Sequence, residues 1–575
     1  MNLRADPFVS EIIRCRLLAA AEDMRLALVR SAYSPIIYES EDCAVALLDR
    51  NGDVLAQSTG LPMFLGNLEQ AVKEAVRLRG GETELQPGDV LCLNDSYIQG
   101  THLEDGTVFS PIFWRETLVG FAATRAHWED VGSMDPGGGF CSTEIYQEGL
   151  RLGPVRIISA GEPNRDVLDI LHRNSRSGDA IVGDVYAMVA ACRTGERRLQ
   201  AVLDRFGLET LDAVRDELFR QSEELDRRAV AAIPNGKYSA EGYLDNDGIE
   251  LDRPVRVRVA ITVAEDEMLV DLTGTSEAAA GSINCGVAQT VSSVRVAYVL
   301  LFGGDRPPDG GSFRNLKVLV PEGSFLHAEE PHACECYAAS SVLLMDLIVR
   351  AFAPVLPDFV CAGQFGDALT MLTGINPRTQ KPFILSEAHA GGWGASADQD
   401  GADGVIDLTN GRLRNVPIEV LETKFPIRVI EYGYRRDSAG RGRFRGGTGI
   451  IRRYALGVDA DIYYWLDRIV TPAWGLFGGD SGKMSEARVR GSVGDLNPMK
   501  ANRLAAKAGD EFIIMTGGGG GYGDPSLRSP EAVRRDLEAG FLSREQAARD
   551  YPHALGELAG LQAEPGQSFE LDRKC

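Results

Sequence analysis

The spacing of hydrophobic residues changes from a helical to a strand pattern near residue 235, and this change restricts the folds that the chain can adopt. From 165 to 233, aliphatic and charged residues recur at helical spacing, as in GERRLQAVLDRFGLETLDAVRDELF. From about 236 to 330 the pattern is that of strands, as in RPVRVRVAITVAEDEMLVDLTG. Helices followed by strands, with no low-complexity linker between them, predict packed domains of a mixed α/β (α+β) fold.

A chain of 575 residues is too long for one compact core, so we predict several domains. Apolar residues at helical spacing predict a first helix over about 8–33, and Asn51-Gly52 in CAVALLDRNGDVLAQS predicts a hairpin turn. A helical stretch returns near 338–356. The predicted domains are an N-terminal α/β domain (1–235), a β-rich domain (236–330), a glycine-rich mixed domain (331–450) and a C-terminal β segment that ends in a helix pair (451–575).

The charge of the chain argues against several classes of partner. Its formal net charge is −23, which repels phosphate backbones and anionic membranes. Charges at Glu11, Arg14 and Arg16 interrupt the N-terminal apolar stretch, and no window reaches the roughly 18 uncharged apolar residues that a membrane span needs. The ten cysteines are scattered without a disulfide spacing. We therefore expect a reduced, cytoplasmic protein with no nucleic-acid or membrane partner.

Two histidine–carboxylate pairs of equal spacing are the strongest chemical signal in the chain. His102 precedes Asp105 by three positions in NDSYIQGTHLEDGTVFSP, and His127 precedes Asp130 by three in RAHWEDVGS. We expect two neighbouring strands, GDVLCLND and LVGFAATRAHWED, to deliver these pairs at their C-terminal ends. Imidazole and carboxylate ligands together suit Zn, Mn or Fe better than Ca or Mg. One interpretation of the two pairs is therefore a metal site with mixed nitrogen and oxygen ligands.

The spacing leaves a second interpretation open. H-x-x-D is short and common by chance, so each histidine can instead cap a strand end or pair with a carboxylate at the surface. The metal interpretation requires each histidine and aspartate to converge, and Gly100, Gly106 and Gly132 are placed to let the backbone bend for this. From spacing alone, a metal site and two structural contacts both stay open.

The run Gly517–Gly521 could form an anion nest from its backbone N–H groups. However, the chain contains neither a G-x-x-x-x-G-K-[ST] motif nor a G-x-G-x-x-G motif between a clear strand and helix. We interpret the run as a tight backbone crossing and predict no cofactor-binding residues for a nucleotide.

The segment HACEC, with His332, Cys334 and Cys336, is interpreted as buried small residues, because C-x-C is too close for the usual structural zinc pair.

Seven motifs occur in the order seen in one family. They are LNDSYIQGTHLEDGTVFSPIF, STEIYQEGLRLGPVRI, GSINCGVAQT, VPEGSFLHAEEP, NVPIEVLE, GRFRGGTGI and GGGGGYGDP. Over about 8–552 the chain therefore resembles the hydantoinase B/oxoprolinase family. That family includes B subunits of ATP-dependent N-methylhydantoinases and lactamases, the C-terminal half of 5-oxoprolinase, and the metal-bearing subunits of acetone and acetophenone carboxylases.

The resemblance implies one divalent metal ion, Zn, Mn or Fe, in the domain 1–235. Matched motif by motif, its four ligands are Asp42 in ESEDCAVALL, His102, Asp105 and His127. Asp130 is then expected to orient His127 or a bound water. Three further acids are candidates for a supporting or acid–base role, namely Asp95, Glu144 and Glu148.

The resemblance also implies a partner. A hydantoinase A-like ATPase subunit is expected to bind ATP and to phosphorylate the amide oxygen of a small cyclic amide. The metal ion of this chain is expected to activate the attacking water, and a carboxylate to take its proton. The implied function is the metal-bearing subunit of an ATP-dependent cyclic amidase, which opens a hydantoin, 5-oxoproline or lactam ring within a hetero-oligomer.

The chain departs from the family pattern near the ligands. In THLED, Glu104 stands where the family has proline, and in AHWED, Trp128 replaces a second histidine. Met188 stands where glutamine is common. These departures keep the four ligands, suggest a more apolar pocket beside Trp128, and leave the substrate open. Two alternatives also stay open: the metal subunit of an ATP-dependent ketone carboxylase, and a non-catalytic scaffold that stabilises its partner.

Overall fold

The protein is described by a computed structural model over residues 6–304, 306–492 and 494–558. Within these ranges it contains several sheets, whose strands pair mostly antiparallel, with helices packed around and between them. The predicted mixed α+β class with several sheets is confirmed. Among the helices of these ranges, none is both long and apolar enough to cross a membrane.

Residues 6–235 form one sheet with helices on both faces. Its elements are α1 (Pro7–Ser31), α2 (Pro35–Tyr38), β1 (Cys43–Asp49), β2 (Val54–Gln57), α3 (Pro62–Leu65), α4 (Leu68–Leu78), β3 (Val90–Leu93), α5 (Ser96–Gln99), β4 (Asp105–Trp114), β5 (Thr117–His127), β6 (Val155–Ser159), β7 (Glu162–Pro163), α6 (Arg165–Arg173), α7 (Gly178–Phe206) and α8 (Leu208–Ala231). The strand order across the sheet is β2-β1-β5-β4-β3-β6-β7.

Both faces of this sheet are covered, which explains why every residue of β1 is buried. Cys43, Val45 and Leu47 pack in one hydrophobic cluster with α1 and α7. Ala46 and Leu48 pack on the other face with α4. Because successive side chains of a strand point to opposite faces, a strand covered on both sides needs the continuous apolar run CAVALL.

Most predictions for this region are confirmed. The first predicted helix is α1, the hairpin is β1–β2 with Gly52 at a φ of 81°, and the helical stretch 165–233 is α6, α7 and α8. The prediction that the two histidine pairs lie at the C-terminal ends of neighbouring strands is wrong in one respect. Strands β3 and β5 are not neighbours, since β4 lies between them. Asp105 does not lie at the end of β3 but is the first residue of β4.

The middle of the chain is built around the sheet β11-β10-β9-β8. Its elements are β8 (Gly236–Leu244), β9 (Val255–Ala264), β10 (Glu267–Asp271), α9 (Val287–Phe302), β11 (Leu316–Leu319) and α10 (Tyr337–Ala351). The helix predicted near 338–356 is α10. The prediction of strands throughout 236–330 is wrong at α9, whose sequence VAQTVSSVRVAYVLLF is apolar on most sides. It lies in a core shared with α10 and the sheet, so it shows little helical periodicity.

The described residues from 368 to 558 form two sheets, whose strands alternate along the sequence, followed by three short helices. The elements are β12 (Ala368–Ile375), β13 (Pro382–Ala388), α11 (Ile418–Lys424), β14 (Ile427–Tyr434), β15 (Ile450–Leu456), β16 (Ala460–Leu466), β17 (Glu486–Gly491), β18 (Gly494–Leu496), β19 (Ala501–Ala506), β20 (Glu511–Met515), α12 (Pro530–Glu538), α13 (Arg544–Asp550) and α14 (Pro552–Leu558). The sheets run β13-β12-β16-β19 and β14-β15-β20-β17-β18. Since β12 pairs with β16, the boundary predicted at 450/451 falls between hydrogen-bonded strands.

The predicted helix starts near the C-terminus are present. The Ser529 side chain accepts a hydrogen bond from the Ala532 N–H at the start of α12, and the Ser543 side chain accepts one from Gln546 N–H at the start of α13. A further helix, α14, follows the predicted pair. The final residues of the predicted C-terminal domain, 559–575, lie outside the described residues.

The run Gly517–Gly521 lies where several backbone segments cross. At Gly519 and at Gly520, a backbone carbonyl oxygen lies 1.9 Å from the position that a Cβ would occupy. The N–H groups of these two residues donate to the carbonyls of Gly447 and Gly363, at 3.0 and 2.9 Å. These N–H groups are therefore engaged with the chain itself, which agrees with the predicted backbone crossing and leaves them unavailable to an anion.

We expect Gly519→Ala to destabilise the protein by about 4 kcal/mol or more, because its new methyl group would overlap the Trp393 carbonyl. Gly433→Ala is the matched control, since a Cβ at Gly433 meets nothing within 4 Å. It should change the free energy of unfolding by less than about 0.5 kcal/mol. Denaturant unfolding of both variants measures the difference, and equal stability would contradict the crossing.

Candidate metal centre

Two histidines and one aspartate come together at one end of the N-terminal sheet. His102, Asp105 and His127 each offer a ligand atom, and these atoms all lie within 4.8 Å of one another. The closest contacts are 3.3 Å from His127 Nδ1 to Asp105 Oδ1 and 3.5 Å from His102 Nδ1 to Asp105 Oδ2. The first sequence pair therefore contributes both of its members to this cluster, and the second contributes only its histidine.

The strand register explains this arrangement. Helix α5 ends at Gly100, whose left-handed φ of 96° turns the chain back toward the sheet. Asp105 then opens β4 opposite His127, the last residue of β5, in an antiparallel register. Side chains directly opposite each other share one face of a sheet and lie close together. The pairing of β4 with β5 thus brings the Asp105 and His127 side chains into contact, with His102 on the turn just before Asp105.

Trp128 lies in the core and does not make the pocket more apolar, which corrects the sequence-based expectation. It is fully buried in the hydrophobic cluster formed with α1 and α7. A Cβ on Gly106 would lie 2.0 Å from its ring. Gly106 therefore makes room for Trp128, whereas the sequence suggested that it lets the backbone bend.

Asp42 lies beside this cluster. It directly precedes β1, the neighbour of β5, and its carbonyl accepts a hydrogen bond of 3.2 Å from the His127 N–H. Its Oδ1 is buried and has no hydrogen-bond partner among the described residues. Asp42 is not one of the three residues whose ligand atoms lie within 4.8 Å of one another. The structure thus places Asp42 next to the cluster, with an unpaired oxygen.

Burial and mutual charge shift the pKa values of these groups. Burial, and to a lesser extent the charge of Asp105, raises the pKa of Asp42 to about 7, although His127 opposes the shift. Burial lowers the pKa of His102. Burial also acts to lower the pKa of His127, but the hydrogen bond to Asp105 and the charges of both aspartates outweigh it and raise that pKa. The imidazole of His102 therefore favours its neutral form, which has a lone pair to offer.

The cluster fits a divalent cation. Tetrahedral ligand atoms at bond lengths of about 2.1 Å lie about 3.4 Å apart, close to the contacts of 3.3 and 3.5 Å found here. A buried carboxylate oxygen without a hydrogen-bond partner, as in Asp42, is costly unless a cation or proton satisfies it. A donor set of two imidazoles and carboxylates suits Zn, Mn or Fe.

A narrow cavity of about 80 Å³ opens beside these side chains. Asp42, His102, Asp105 and His127 line one side of it. Tyr337, the first residue of α10, donates a hydrogen bond of 3.1 Å from its hydroxyl to Asp105 Oδ2. The remaining wall comes from distant parts of the chain, among them Glu335, Asp367, Glu387, Asn410, Arg414 and Trp465. The cavity is thus closed by elements that lie far from the histidines in sequence.

Three of the acids singled out in the sequence have other partners. Asp130 forms an ion pair of 2.7 Å with Arg176, and its carboxylate also accepts backbone N–H groups, so its described contacts do not include His127. Asp95 caps α5 by accepting a hydrogen bond from the Tyr97 N–H. Glu144 is exposed and belongs to a local capping box.

Glu148 is buried in a group of three glutamates. Its carboxylate accepts hydrogen bonds from the Ser142 hydroxyl and from the backbone N–H groups of Cys334 and Glu335, all at 2.6–3.0 Å. Burial and the charge of Glu335 raise the pKa of Glu148 to about 8. The same two causes, together with the charge of Glu148, raise the pKa of Glu104 well above its usual range. Glu148 therefore favours its protonated form at neutral pH, and the pKa of Glu104 is shifted in the same direction.

Glu335 is the functional candidate that the sequence did not reveal. It lines the cavity, and its Oε2 is buried without a hydrogen-bond partner among the described residues. It lies in HACEC, which the sequence leads us to interpret as buried small residues. That interpretation holds for Cys334 and Cys336, but it does not account for the buried charged residue Glu335 between them. The segment itself offered a signal, because a charged residue between two buried cysteines needs an explanation.

Glu104→Gln tests the protonation of this group. A neutral carboxylic acid and an amide have nearly the same shape, so we expect a change of less than about 1 kcal/mol in the free energy of unfolding and an unchanged metal content. Chemical denaturation and elemental analysis measure both. A loss of about 3 kcal/mol or more, as expected when a buried ion pair is broken, would show that Glu104 is ionised.

We also expect metal affinity to fall as the pH falls from 8 to 6. Below pH about 7, Asp42 holds a proton in the metal-free protein, and a cation must displace it. Chelator competition at several pH values measures the slope. Asp42→Asn should bind more weakly and with a shallower pH dependence, because one titrating group is gone. Equal slopes in wild type and variant would contradict the contribution of Asp42.

Comparisons of the sequence with a family model and with known proteins indicate the same family. The sequence model of the family described as Hydantoinase B/oxoprolinase matches residues 6–525. The chain is 30% identical over 568 residues to the putative B subunit of a D-/L-hydantoinase from Pseudomonas sp. (strain NS671), with 95% of each chain covered. It is 28% identical over 562 residues to the beta subunit of the caprolactamase from Pseudomonas jessenii, with 95% of this chain and 96% of that one covered. Both relatives are named as subunits.

Solved structures share the fold over nearly the whole chain. The ATP-dependent caprolactamase of Pseudomonas jessenii matches with a TM-score of 0.87 at 26% identity, covering 98% of each chain. An acetone carboxylase in its nucleotide-free state also matches with a TM-score of 0.87, covering 97% of this chain and 84% of that one. At 19% identity, this second likeness shows the fold alone.

Proposed function

The chain belongs to the hydantoinase B/oxoprolinase family, and from that premise we propose that it is the metal-bearing subunit of an ATP-dependent cyclic amidase. The observation that carries the proposal is the cluster of the buried Asp105 with the partly exposed His102 and His127, beside Asp42. The substrate class is a small cyclic amide such as a hydantoin, 5-oxoproline or a lactam. Relatives named as hydantoinase and caprolactamase subunits support this class.

The partner would be a hydantoinase A-like ATPase that phosphorylates the amide oxygen. The chain has no G-x-x-x-x-G-K-[ST] motif, and the backbone N–H groups of Gly519 and Gly520 are taken up by other segments of the chain. Both observations support a site for ATP on another chain. The naming of the relatives as subunits supports a hetero-oligomer.

In the proposed mechanism, His102, Asp105 and His127 hold the cation, with Asp42 as a fourth ligand. When bound, a divalent cation supplies Lewis acidity, which lowers the pKa of water near the substrate. The Tyr337 hydroxyl keeps Asp105 oriented through its 3.1 Å hydrogen bond. Glu335 Oε2, buried on the cavity wall without a partner among the described residues, is placed to accept a proton from the attacking water.

The cavity walls would also exclude bulk water from the activated substrate. Apolar side chains face the cavity beside the polar ones, including Met63, Phe140, Leu369 and Trp465. Exclusion of bulk water strengthens the electrostatic interactions inside a site. It would also limit side reactions of a phosphorylated amide, which is a reactive electrophile.

Elemental analysis tests the metal directly. We expect near one equivalent of Zn, Mn or Fe in purified wild-type protein, and loss of that metal from a His102→Ala/His127→Ala double variant that remains folded. If neither protein contains metal after loading, the histidines are structural, and the scaffold alternative replaces the amidase.

Asp105→Asn should abolish activity of the complex reconstituted with its partner without unfolding the chain. The amide keeps the shape of the side chain but removes its charge, and loss of a ligand should cost more than the 10–100-fold typical of residues around the ligands. Asp95→Asn is the control, since asparagine also caps helices well and Asp95 serves α5. Retention of more than about a tenth of the wild-type rate in Asp105→Asn would contradict direct ligation.

The reaction class can be separated from the carboxylase alternative in the same complex. We expect the complex to open the ring of at least one of hydantoin, 5-oxoproline and caprolactam in an ATP-dependent reaction. Chromatography of the open-chain product measures this activity. Bicarbonate-dependent consumption of a ketone, with no cyclic amide opened, would favour the carboxylase instead.

A further inference from the structure

Glu41, the residue just before Asp42, has an unusual backbone conformation. Its φ of 56° lies in the left-handed region, which L-residues with a long side chain rarely adopt. The Cys43 N–H donates to the Glu41 carbonyl at 2.8 Å, and the Asp42 N–H donates to the Ile36 carbonyl at 3.0 Å. The chain thus turns tightly at Glu41, and this turn sets the direction in which Asp42 leaves the backbone.

Three arginines hold the Glu41 carboxylate. Arg25 on α1 contacts Oε2 at 2.8 Å, Arg412 contacts the same oxygen at 3.1 Å, and Arg414 contacts Oε1 at 2.9 Å. Glu41 itself is only 7% exposed. Isolated ion pairs at the surface contribute little to stability, whereas a nearly buried carboxylate with three guanidinium partners is fixed in one position.

Two of these arginines, Arg412 and Arg414, belong to the segment 410–416, which forms another part of the cavity wall. The Arg414 N–H also donates to the Ser40 carbonyl at 3.0 Å. Segment 410–416 is therefore joined to the turn at Glu41 by two ion pairs and one backbone hydrogen bond. Glu41 connects the two cavity walls at the point where Asp42 faces the cluster.

Glu41 also balances the charge of this contact. If the Glu41 carboxylate were removed, the positive charges of Arg412, Arg414 and Arg25 would lie close together, and like charges at short distance repel one another. Arg25 would keep Glu22, which contacts it at 2.5 Å from the other side. The loss of the charge would therefore push segment 410–416 away from the turn while leaving Arg25 on α1 paired.

We propose that Glu41 is a positioning residue of the metal centre: its carboxylate, held by Arg25, Arg412 and Arg414, fixes the strained turn that aims Asp42 at the histidines and closes segment 410–416 over the cavity. This inference rests on the proposed metal site, to which it adds a residue that touches neither the metal nor the substrate. The sequence ESED gives no sign of it, because the three arginines come from distant positions.

The test compares Glu41→Gln with Glu22→Gln. Each change removes one carboxylate charge that Arg25 contacts. Among the described contacts, Glu22 makes no hydrogen bond or ion pair with the turn or with segment 410–416, and its charge acts on Arg412 only from a distance. Chelator competition with Zn²⁺ should show about 10–100-fold weaker binding for Glu41→Gln and a change of less than about threefold for Glu22→Gln. Equal affinities of the two variants would overturn the proposal.

Hydrogen–deuterium exchange of the metal-free full chain gives a readout that does not depend on metal binding. Glu41→Gln should speed exchange in residues 36–43 and in 410–416 together, while Glu22→Gln leaves both unchanged. Unchanged exchange in Glu41→Gln would overturn the proposal even if the wild type binds metal. If the wild type binds no metal, the proposed function fails, and the exchange result alone decides whether Glu41 holds the two walls together.

A milder variant covers the case in which Glu41→Gln does not fold. Arg412→Gln removes one of the three partners and leaves the carboxylate with Arg25 and Arg414. It should weaken Zn²⁺ binding and speed exchange in the same direction but by less. Wild-type affinity together with wild-type exchange in Arg412→Gln would count against the proposal.

Discussion

The register between β4 and β5 is the constraint on which the candidate centre depends. It sets Asp105 directly opposite His127. A shift of one residue would send one of these side chains to the other face of the sheet. That register is itself held by burial, because the strands are covered on one face by α1 and α7 and on the other by α4. The hydrophobic layers of the N-terminal region thus determine where the candidate ligands Asp105 and His127 meet.

Around this fixed pair, the chain adds groups from distant segments. Tyr337 and Glu335 come from the start of α10 and the turn before it, and segment 410–416 supplies another part of the cavity wall. The glycine-rich backbone crossings of the C-terminal half allow such segments to pass close together.

Sequence reasoning predicts the local features and misses those that depend on long-range packing. Equal spacing indicates His102 and His127, but Asp42 comes only from family resemblance, because sixty positions separate it from His102. Glu335 escapes notice since its role depends on where HACEC packs. Helix α9 resembles a strand in sequence because burial on most sides removes the helical period. The turn at Glu41 could not be predicted at all, since its three arginine partners are set by tertiary structure.

The most direct measurement is anomalous X-ray diffraction from crystals loaded with Zn²⁺ or Mn²⁺, recorded at the absorption edge of the metal. The account predicts one strong peak enclosed by His102, Asp105 and His127, with the Asp42 carboxylate turned toward it. A peak among the buried glutamates Glu104, Glu148 and Glu335, or no peak in the N-terminal sheet region, would contradict the account.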